Sequence, residues 1–289
     1  MSEPASSMPP ALYVVATPLG NLADITLRAL QVLRGADLIA AEDTRHTRRL
    51  LDHHGIGARL VAAHEHNERE AAESIVAAIG EGRRVALVSD AGTPAVSDPG
   101  ARIVRAVADA GQRVIPVPGP SALATALSAS GLVDAHVLFC GFMPAKAAAR
   151  GEAIEALRAV DAALVFYEAP HRVAETIDDL AARLEPQREI VVARELTKLF
   201  ESIVRMPLAE APAWLAADPN RSRGEFVLLV SAPPPSSGLS AEAERTLAAL
   251  LAELPLKQAV KLAAQISGEA RNRLYERALA LKGGQDGGL

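Results

Sequence analysis

RVALVSDAGTPAVSDPGARIVRAVADA (84–110) decides how this chain is read. RVALVS (84–89) is a continuous apolar run, the pattern of a strand buried on both faces. Pro99–Ala110 has helical spacing, with Asp98 as the expected N-cap, Pro99 in the first turn and Gly111 after the end. Between them lies SDAGTPAVSDPG (89–100), longer than the usual connection of about 2–6 residues. A doubly buried strand followed by a helix implies a parallel sheet covered on both sides. The long link between them implies a loop kept for something other than connection.

The same alternation extends in both directions. LYVVAT (12–17), DLIAA (37–41), RLVAA (59–63) and RVIPV (113–117) read as further buried strands. Thr26–Leu33, Thr44–His54 and Glu68–Ile79 read as the intervening helices. The expected fold class is α/β, with a mainly parallel five-stranded N-terminal sheet. Beyond a boundary expected near Ser128–Val133 the pattern changes. HVLFCGF (136–142), ALVFYEA (163–169), EIVVARE (189–195), ESIVRM (201–206) and EFVLLVS (225–231) are strand-like, and the 189–206 run leaves little room for a helix. A second, mixed sheet is expected there, with helices at Ala147–Ala159, His171–Leu184 and Leu208–Ala217. PPPSSG (233–238) is the clearest linker, and three short helices follow it, the first capped by Ser240. The expected division is a disordered lead at 1–10, α/β domains at 11–128 and 129–232, a linker at 233–239, a small C-terminal helical domain at 240–283 and a disordered end at 284–289.

Composition narrows the class. The chain has 289 residues, 49% hydrophobic and 22% charged, as expected of a globular protein. One cysteine, Cys140, excludes an intrachain disulfide and a cysteine metal cluster. MSEPASSMPP lacks a basic segment followed by an apolar run, and no run of 18 or more apolar residues occurs, so a cytoplasmic protein without a membrane partner is expected. The formal charge of −5 argues against a nucleic-acid partner, but its distribution matters more. Lys257, Lys261, Arg271, Arg273, Arg277 and Lys282 face only Glu269 and Glu276 between Pro255 and Gly284, a local excess of four positive charges. That segment reads either as a solvated helix face or as a polyanion contact.

Ligands of open parallel sheets bind beyond the carboxyl ends of the strands, so the loops there are the candidates. ATPLGNLAD (16–24) has a tight turn at Pro18 and Gly20. AEDTRHTRR (41–49) puts Glu42 and Asp43 at a strand end beside Arg45, Arg48 and Arg49. The two acids either favour a helix N-terminus through its dipole or stand at an active-site mouth, with the arginines meeting phosphate. Asp90, Gly92 and Thr93 offer a carboxylate, a close backbone approach and a hydroxyl, a set that suits a ligand with hydroxyls and an ammonium group. VPGPSALATAL (117–127) fixes the backbone around Gly119 and offers free N–H groups near Ser121. There is no G-x-G-x-x-G, P-loop or G-x-S-x-G motif, and the histidines lack metal-site spacing, so no metal is expected.

VATPLGNLADIT, AAEDTRHTRRLL, LVSDAGTPAVSDPG, VPGPSA, FYEAPHR and ARELTKLFE, six motifs in order over residues 11–232, together resemble the tetrapyrrole-methylase superfamily. The resemblance is nearer to its ribosomal RNA branch, which LPLKQAVKLAA in the tail also matches. It implies two α/β domains in a homodimer, with S-adenosyl-L-methionine in the cleft between them. It implies cofactor contacts from Leu19, Asp90, Gly92, Thr93, Ser121 and Ala122, and from Tyr167, Met206 and Leu208 in the second domain. The implied activity is methyl transfer to a cytidine ribose 2′-hydroxyl of 16S ribosomal RNA, as free RNA or in the 30S subunit. Candidate bases are Glu42, Asp43 and Glu168. Arg45, Arg172, Arg194 and Lys198 are candidates for phosphate or oxyanion contact, each alternatively part of an interdomain ion pair. Arg48, Arg49, Arg172, Lys257, Lys261, Arg271 and Arg273 are candidate RNA contacts. Two rivals stand beside this reading: a methylase of the same fold acting on a porphyrinoid or protein side chain, and an RNA-binding module without catalysis.

Overall fold

The computed structural model describes residues 8–234, 239 and 241–283. The outer part of the expected disordered lead, the whole of the expected end, the centre of the linker and the expected cap Ser240 lie outside the described residues. Met8 packs against the N-terminal core, and the Tyr13 hydroxyl donates to the Pro9 carbonyl at 2.8 Å, so the described end of the lead is tied to the fold.

The first sheet contains β1 (Ala11–Val15), β2 (Leu38–Ala41), β3 (Leu60–Ala62), β4 (Arg84–Val88) and β5 (Val114–Val117). Its order is β3-β2-β4-β1-β5, and every pairing is parallel. Helices α1 (Leu27–Gly35) and α2 (Thr44–His53) supply one buried layer, with Val32, Leu33, Leu50 and Leu51 against Tyr13, Val15 and Ile39. Helices α3 (Glu68–Gly80) and α4 (Ala101–Asp109) supply the other, with Ile75, Ile79, Ile103 and Val107 against Leu12, Val85 and Leu87. Burial of each such side chain contributes about 1.5–3 kcal/mol.

α2 starts at Thr44 with Asp43 as its N-cap, the carboxylate accepting from the Arg45 N–H at 2.8 Å, whereas the start of α4 differs from expectation. α4 begins at Ala101, after Gly100 at φ 129°, so Asp98 is not its cap. The acceptor comes from another helix: buried Glu68 takes the N–H groups of Gly100 and Arg102 at 2.9 and 3.1 Å. Asp98 is thereby released from backbone duty.

The second sheet has order β6-β7-β10-β8-β9, formed by β6 (Val137–Phe142), β7 (Ala163–Glu168), β8 (Glu189–Arg194), β9 (Ser202–Pro207) and β10 (Phe226–Val230). It is mixed, as expected: β6 runs parallel to β7, whereas β7–β10, β10–β8 and β8–β9 are antiparallel. Helices α6 (Ala147–Leu157), α7 (Val173–Arg183) and α8 (Ala211–Ala216) cover one face through Leu164, Phe166, Val192 and Leu228. The other face carries Val165, Val191, Val227 and Leu229 and is covered by α5 (Ala122–Ser130). α5, which falls before the expected boundary, thus packs on the second sheet, and both sheets belong to one compact unit ending at Ala232.

The tail from Pro233 is a separate compact unit. Its helices α9 (Ala241–Glu253), α10 (Leu256–Ser267) and α11 (Arg271–Gly283) bury Leu247, Val260, Ala263, Leu274 and Ala278 in a small core of their own. Gly268, at φ 72°, ends α10 in the left-handed conformation that suits glycine.

Candidate functional site

Loops at the carboxyl edge of the first sheet are laced together. Thr17 and Gly92 exchange backbone hydrogen bonds of 2.8 and 2.9 Å, and the Thr17 hydroxyl donates to the Ser89 carbonyl at 3.2 Å. The Thr93 hydroxyl donates to the Pro120 carbonyl at 3.0 Å, joining the loop after β4 to the loop after β5. The Asp43 N–H donates to the Asp90 carboxylate at 3.1 Å, while the Asp90 N–H donates to Glu42 at 3.3 Å. Within the long loop Ala95 and Ser97 both hold φ of 66°, a region costly for residues with a Cβ and one that tends to mark functional loops.

Between these loops and the α5-covered face of the second sheet lies a cavity of about 340 Å³. Leu19, Gly92, Thr93, Ser121, Ala122 and Tyr167 line it, so six of the nine expected cofactor residues converge here. Ser121 caps α5, its hydroxyl accepting from the Ala124 N–H. The Tyr167 hydroxyl accepts from the Leu123 N–H at 3.0 Å, and its ring meets Phe139 and Phe142 edge-on at 4.8 and 5.8 Å between centroids. Asp98, Phe142, Leu196, Glu225 and Val227 also line the cavity and were not anticipated. For Asp98 a signal existed: a second acid in a loop too long for a simple connection. Burial, reinforced by Glu42 and Asp90, pushes the Asp98 carboxyl up to about 6 against an opposing hydrogen bond from Ser89.

A second cavity, of about 570 Å³, adjoins the first and shares Leu19, Ala91 and Glu225 with it. Asp90, His46, Arg49 and Lys198 line it. Lys198 Nζ sits between Glu195 at 3.0 Å and Glu225 at 2.8 Å. Burial opposes its charge, but the two carboxylates outweigh that and raise its pKa. Its aliphatic stem fills the space over Gly20, where any Cβ would collide with it. Glu42 is half-buried, and burial followed by the charges of Asp90 and Asp43 raises its pKa despite the bond from the Asp90 N–H.

Other expected site residues lie elsewhere. Met206 and Leu208 are buried in the core on the opposite face of the second sheet. Side chains alternate along a strand, so Ile203 points to the α5 side while Val204 and Met206 point away. Glu168 borders the first cavity, but alternation gives Tyr167 the cavity side and turns the Glu168 carboxylate away from it. The Glu168 carboxylate is fully buried, accepting from Thr176 Oγ1 at 2.8 Å and the Ala169 N–H at 2.9 Å. Arg172 is spent on the same cluster, 3.4 Å from Glu168 and bonded to the Met143 carbonyl. Arg194 makes no ion pair among the described residues; it donates to Ser202 Oγ and to the carbonyls of Phe200, Asn220 and Arg223, fastening two loops. Asp43 is gripped by the Arg45 guanidinium at 2.8 Å, which holds its carboxyl far below the usual range and leaves it a poor base. Arg48 donates to the Ala58 carbonyl at 3.1 Å, whereas Arg49 is exposed at the second cavity. In the tail Lys257, Lys261, Arg271 and Arg273 are exposed, and Arg273 lies 3.4 Å from Glu269.

Two α/β layers thus clasp a cavity walled by first-sheet loops. Residues 11–212 match the family described as Tetrapyrrole (Corrin/Porphyrin) Methylases, and residues 237–282 match the RsmI C-terminal HTH domain. The chain belongs to the tetrapyrrole methylase family, within the group named ribosomal RNA small subunit methyltransferase I. A relative of that name from Escherichia coli O157:H7 is 52% identical over 94% of this chain and 96% of its own length. Another, from Pseudomonas aeruginosa, is 51% identical over 94% and 98%. Among solved structures, the cobalt precorrin-4 methyltransferase CbiF matches with a TM-score of 0.56 at 16% identity, over 80% of this chain and 98% of its own. A Thermus thermophilus uroporphyrin-III C-methyltransferase complexed with S-adenyl homocysteine matches at 0.54 and 18%, over 76% and 97%. These two establish likeness of fold.

Proposed function

We propose that this chain transfers a methyl group from S-adenosyl-L-methionine to the 2′-hydroxyl of a cytidine ribose in 16S ribosomal RNA. The observation that carries this is the identity of about half the residues to relatives named for small-subunit ribosomal RNA, continuing through the helical tail. The rival porphyrinoid or protein substrates have no such support.

The first cavity fits the donor. The Thr93 and Ser121 hydroxyls and the close backbone approach at Gly92 suit polar groups of the donor, and Leu19, Ala122 and Val227 suit a flat apolar ring. When bound, S-adenosyl-L-methionine supplies a methyl already activated by its sulfonium. The chain's task is then positioning, which accounts for most of the rate in such a transfer. Arg49, His46 and Lys198 at the adjoining cavity offer charge and hydrogen bonds to a ribose–phosphate. Glu42 carries the role of proton acceptor: its raised pKa improves a base working near neutrality, and a positioned base contributes about 10²–10⁴-fold. Arg45, Lys198 and the exposed tail residues Lys257, Lys261, Arg271 and Arg273 contribute phosphate contacts. Ribosomal RNA or the 30S subunit as partner places the protein in the cytoplasm. Exposed Val137 and Leu138 on edge strand β6 offer a surface for the homodimer.

No described helix is long and apolar enough to cross a membrane. Nucleoside mass spectrometry of 16S RNA from a strain lacking this chain tests the proposal. One 2′-O-methylcytidine is expected to disappear; an unchanged nucleoside profile refutes the activity.

A further inference from the structure

Among the described residues lining the first cavity there is no Lys, Arg or His. Its acids are Asp98, Glu168 and Glu225. The Glu168 carboxylate is turned into the opposite core, and Glu225 is neutralised by Lys198 at 2.8 Å. Asp98 is left as the acid of this cavity without a cationic partner. Its surroundings deepen the deficit. Glu42 after β2 and Asp90 after β4 both act on it as like charges, Tyr167 on β7 feels its charge, and its hydrogen bond comes from neutral Ser89. Nor does Asp98 serve the backbone, because Glu68 caps α4 in its place. An uncompensated, half-buried carboxylate is costly unless something supplies the missing charge.

On the reading that this cavity holds the methyl donor, we propose that Asp98 meets a cationic group of that donor, its sulfonium or its ammonium. The carboxylate then acts as a charge reader, so donor affinity depends on its ionisation. Asp98 titrates near 6 without a ligand. Below that value it is protonated, and a cation must displace the proton to bind. Donor affinity therefore falls with acidity, and binding at low pH releases a proton.

Calorimetry on the full chain tests this with S-adenosylmethionine, S-adenosylhomocysteine and 5′-methylthioadenosine, which carry both cations, the ammonium alone and neither. In the wild type, affinity for S-adenosylmethionine is expected to fall roughly ten-fold between about pH 7 and pH 5, as the ionised fraction does. Heats measured near pH 5.5 in buffers of different ionisation heat should report proton release. Asp98→Asn should weaken S-adenosylmethionine about ten-fold or more, as expected for loss of a charge-assisted contact, and should leave 5′-methylthioadenosine unchanged. Equal weakening of S-adenosylhomocysteine assigns the contact to the ammonium; an unweakened homocysteine product assigns it to the sulfonium. Weakening of all three ligands alike, or of none, overturns the proposal, as does wild-type binding without proton release. Absence of any S-adenosylmethionine binding to the wild type instead overturns the donor-cavity reading beneath it. The proton-release arm needs no variant and stands even if Asp98→Asn folds poorly.

Discussion

Thr17 and Gly92 form a two-residue antiparallel bridge that pins the first-strand loop to the loop after β4. Gly92 achieves this at φ 80°, with room for a Cβ only 3.3 Å from Leu19 Cδ2. Gly92 and Leu19 line the first cavity and Thr17 the second, so strain here moves the wall of the first. Gly92→Ala is expected to weaken donor binding at least ten-fold, measured by calorimetry, with a cost of about 1–2 kcal/mol in unfolding. Unaltered donor affinity contradicts the placement of this loop against the donor.

Glu68 links α3 to the start of α4 through two backbone N–H groups. Glu68→Ala removes a buried acceptor and leaves both donors bare. A loss of about 1–3 kcal/mol in denaturant unfolding is expected. Since the cap also sets the loop before α4, donor affinity should fall with it; a variant as stable as wild type contradicts the capping role.

Glu42 differs from its neighbour Asp43 in having no cation on its carboxylate among the described contacts. Glu42→Gln should keep donor affinity within about two-fold and lower turnover on small subunits by about 10²-fold or more. Full turnover with bound donor removes Glu42 as the proton acceptor.

Arg48 and Arg49 are adjacent in sequence and unlike in setting. Arg48 is occupied by the Ala58 carbonyl, and Arg49 stands at the second cavity. Arg49→Ala should weaken RNA binding and reduce the salt slope of affinity by about one, as loss of a phosphate contact does. Arg48→Ala should leave the slope near its original value. Filter binding across a salt series checks both, and equal slopes for the two variants contradict the distinction.

Asp98 also links stability to pH. Its folded pKa, about 6, lies above the ordinary 3.8, so the folded state binds the extra proton between those values. The stabilisation is present at acid pH and lost as pH rises through about 6. Two units correspond to about 3 kcal/mol, reduced to about 1 kcal/mol by solvent access to the half-buried group. Asp98→Asn should therefore gain stability over wild type as pH rises from about 4 to 7. A constant difference across that range contradicts the shift.

Much of this was legible before the structure because it depends on local pattern. Apolar runs marked all ten strands, and the long loop after β4 marked the cavity wall. The losses came from direction and competition. Glu168 on β7 and Met206 on the edge strand β9 are turned to the opposite face by period-two alternation, where a shift of one residue decides the face, and Leu208, in the turn after β9, is buried in that same core. Arg172 and Arg194 are chemically suitable, yet Arg172 is held by the Met143 carbonyl and the charge of Glu168, and Arg194 is bound to nearby carbonyls. Local pattern makes Asp98 a helix cap, and no local rule announces that Glu68, 30 positions upstream of it, performs that task.

The most direct test of the central claim uses purified protein, methyl-labelled S-adenosylmethionine and unmethylated small subunits. After digestion, the account predicts label on a single cytidine ribose as 2′-O-methylcytidine. Label on a base atom, on ribosomal protein, or on no component of the subunit contradicts it.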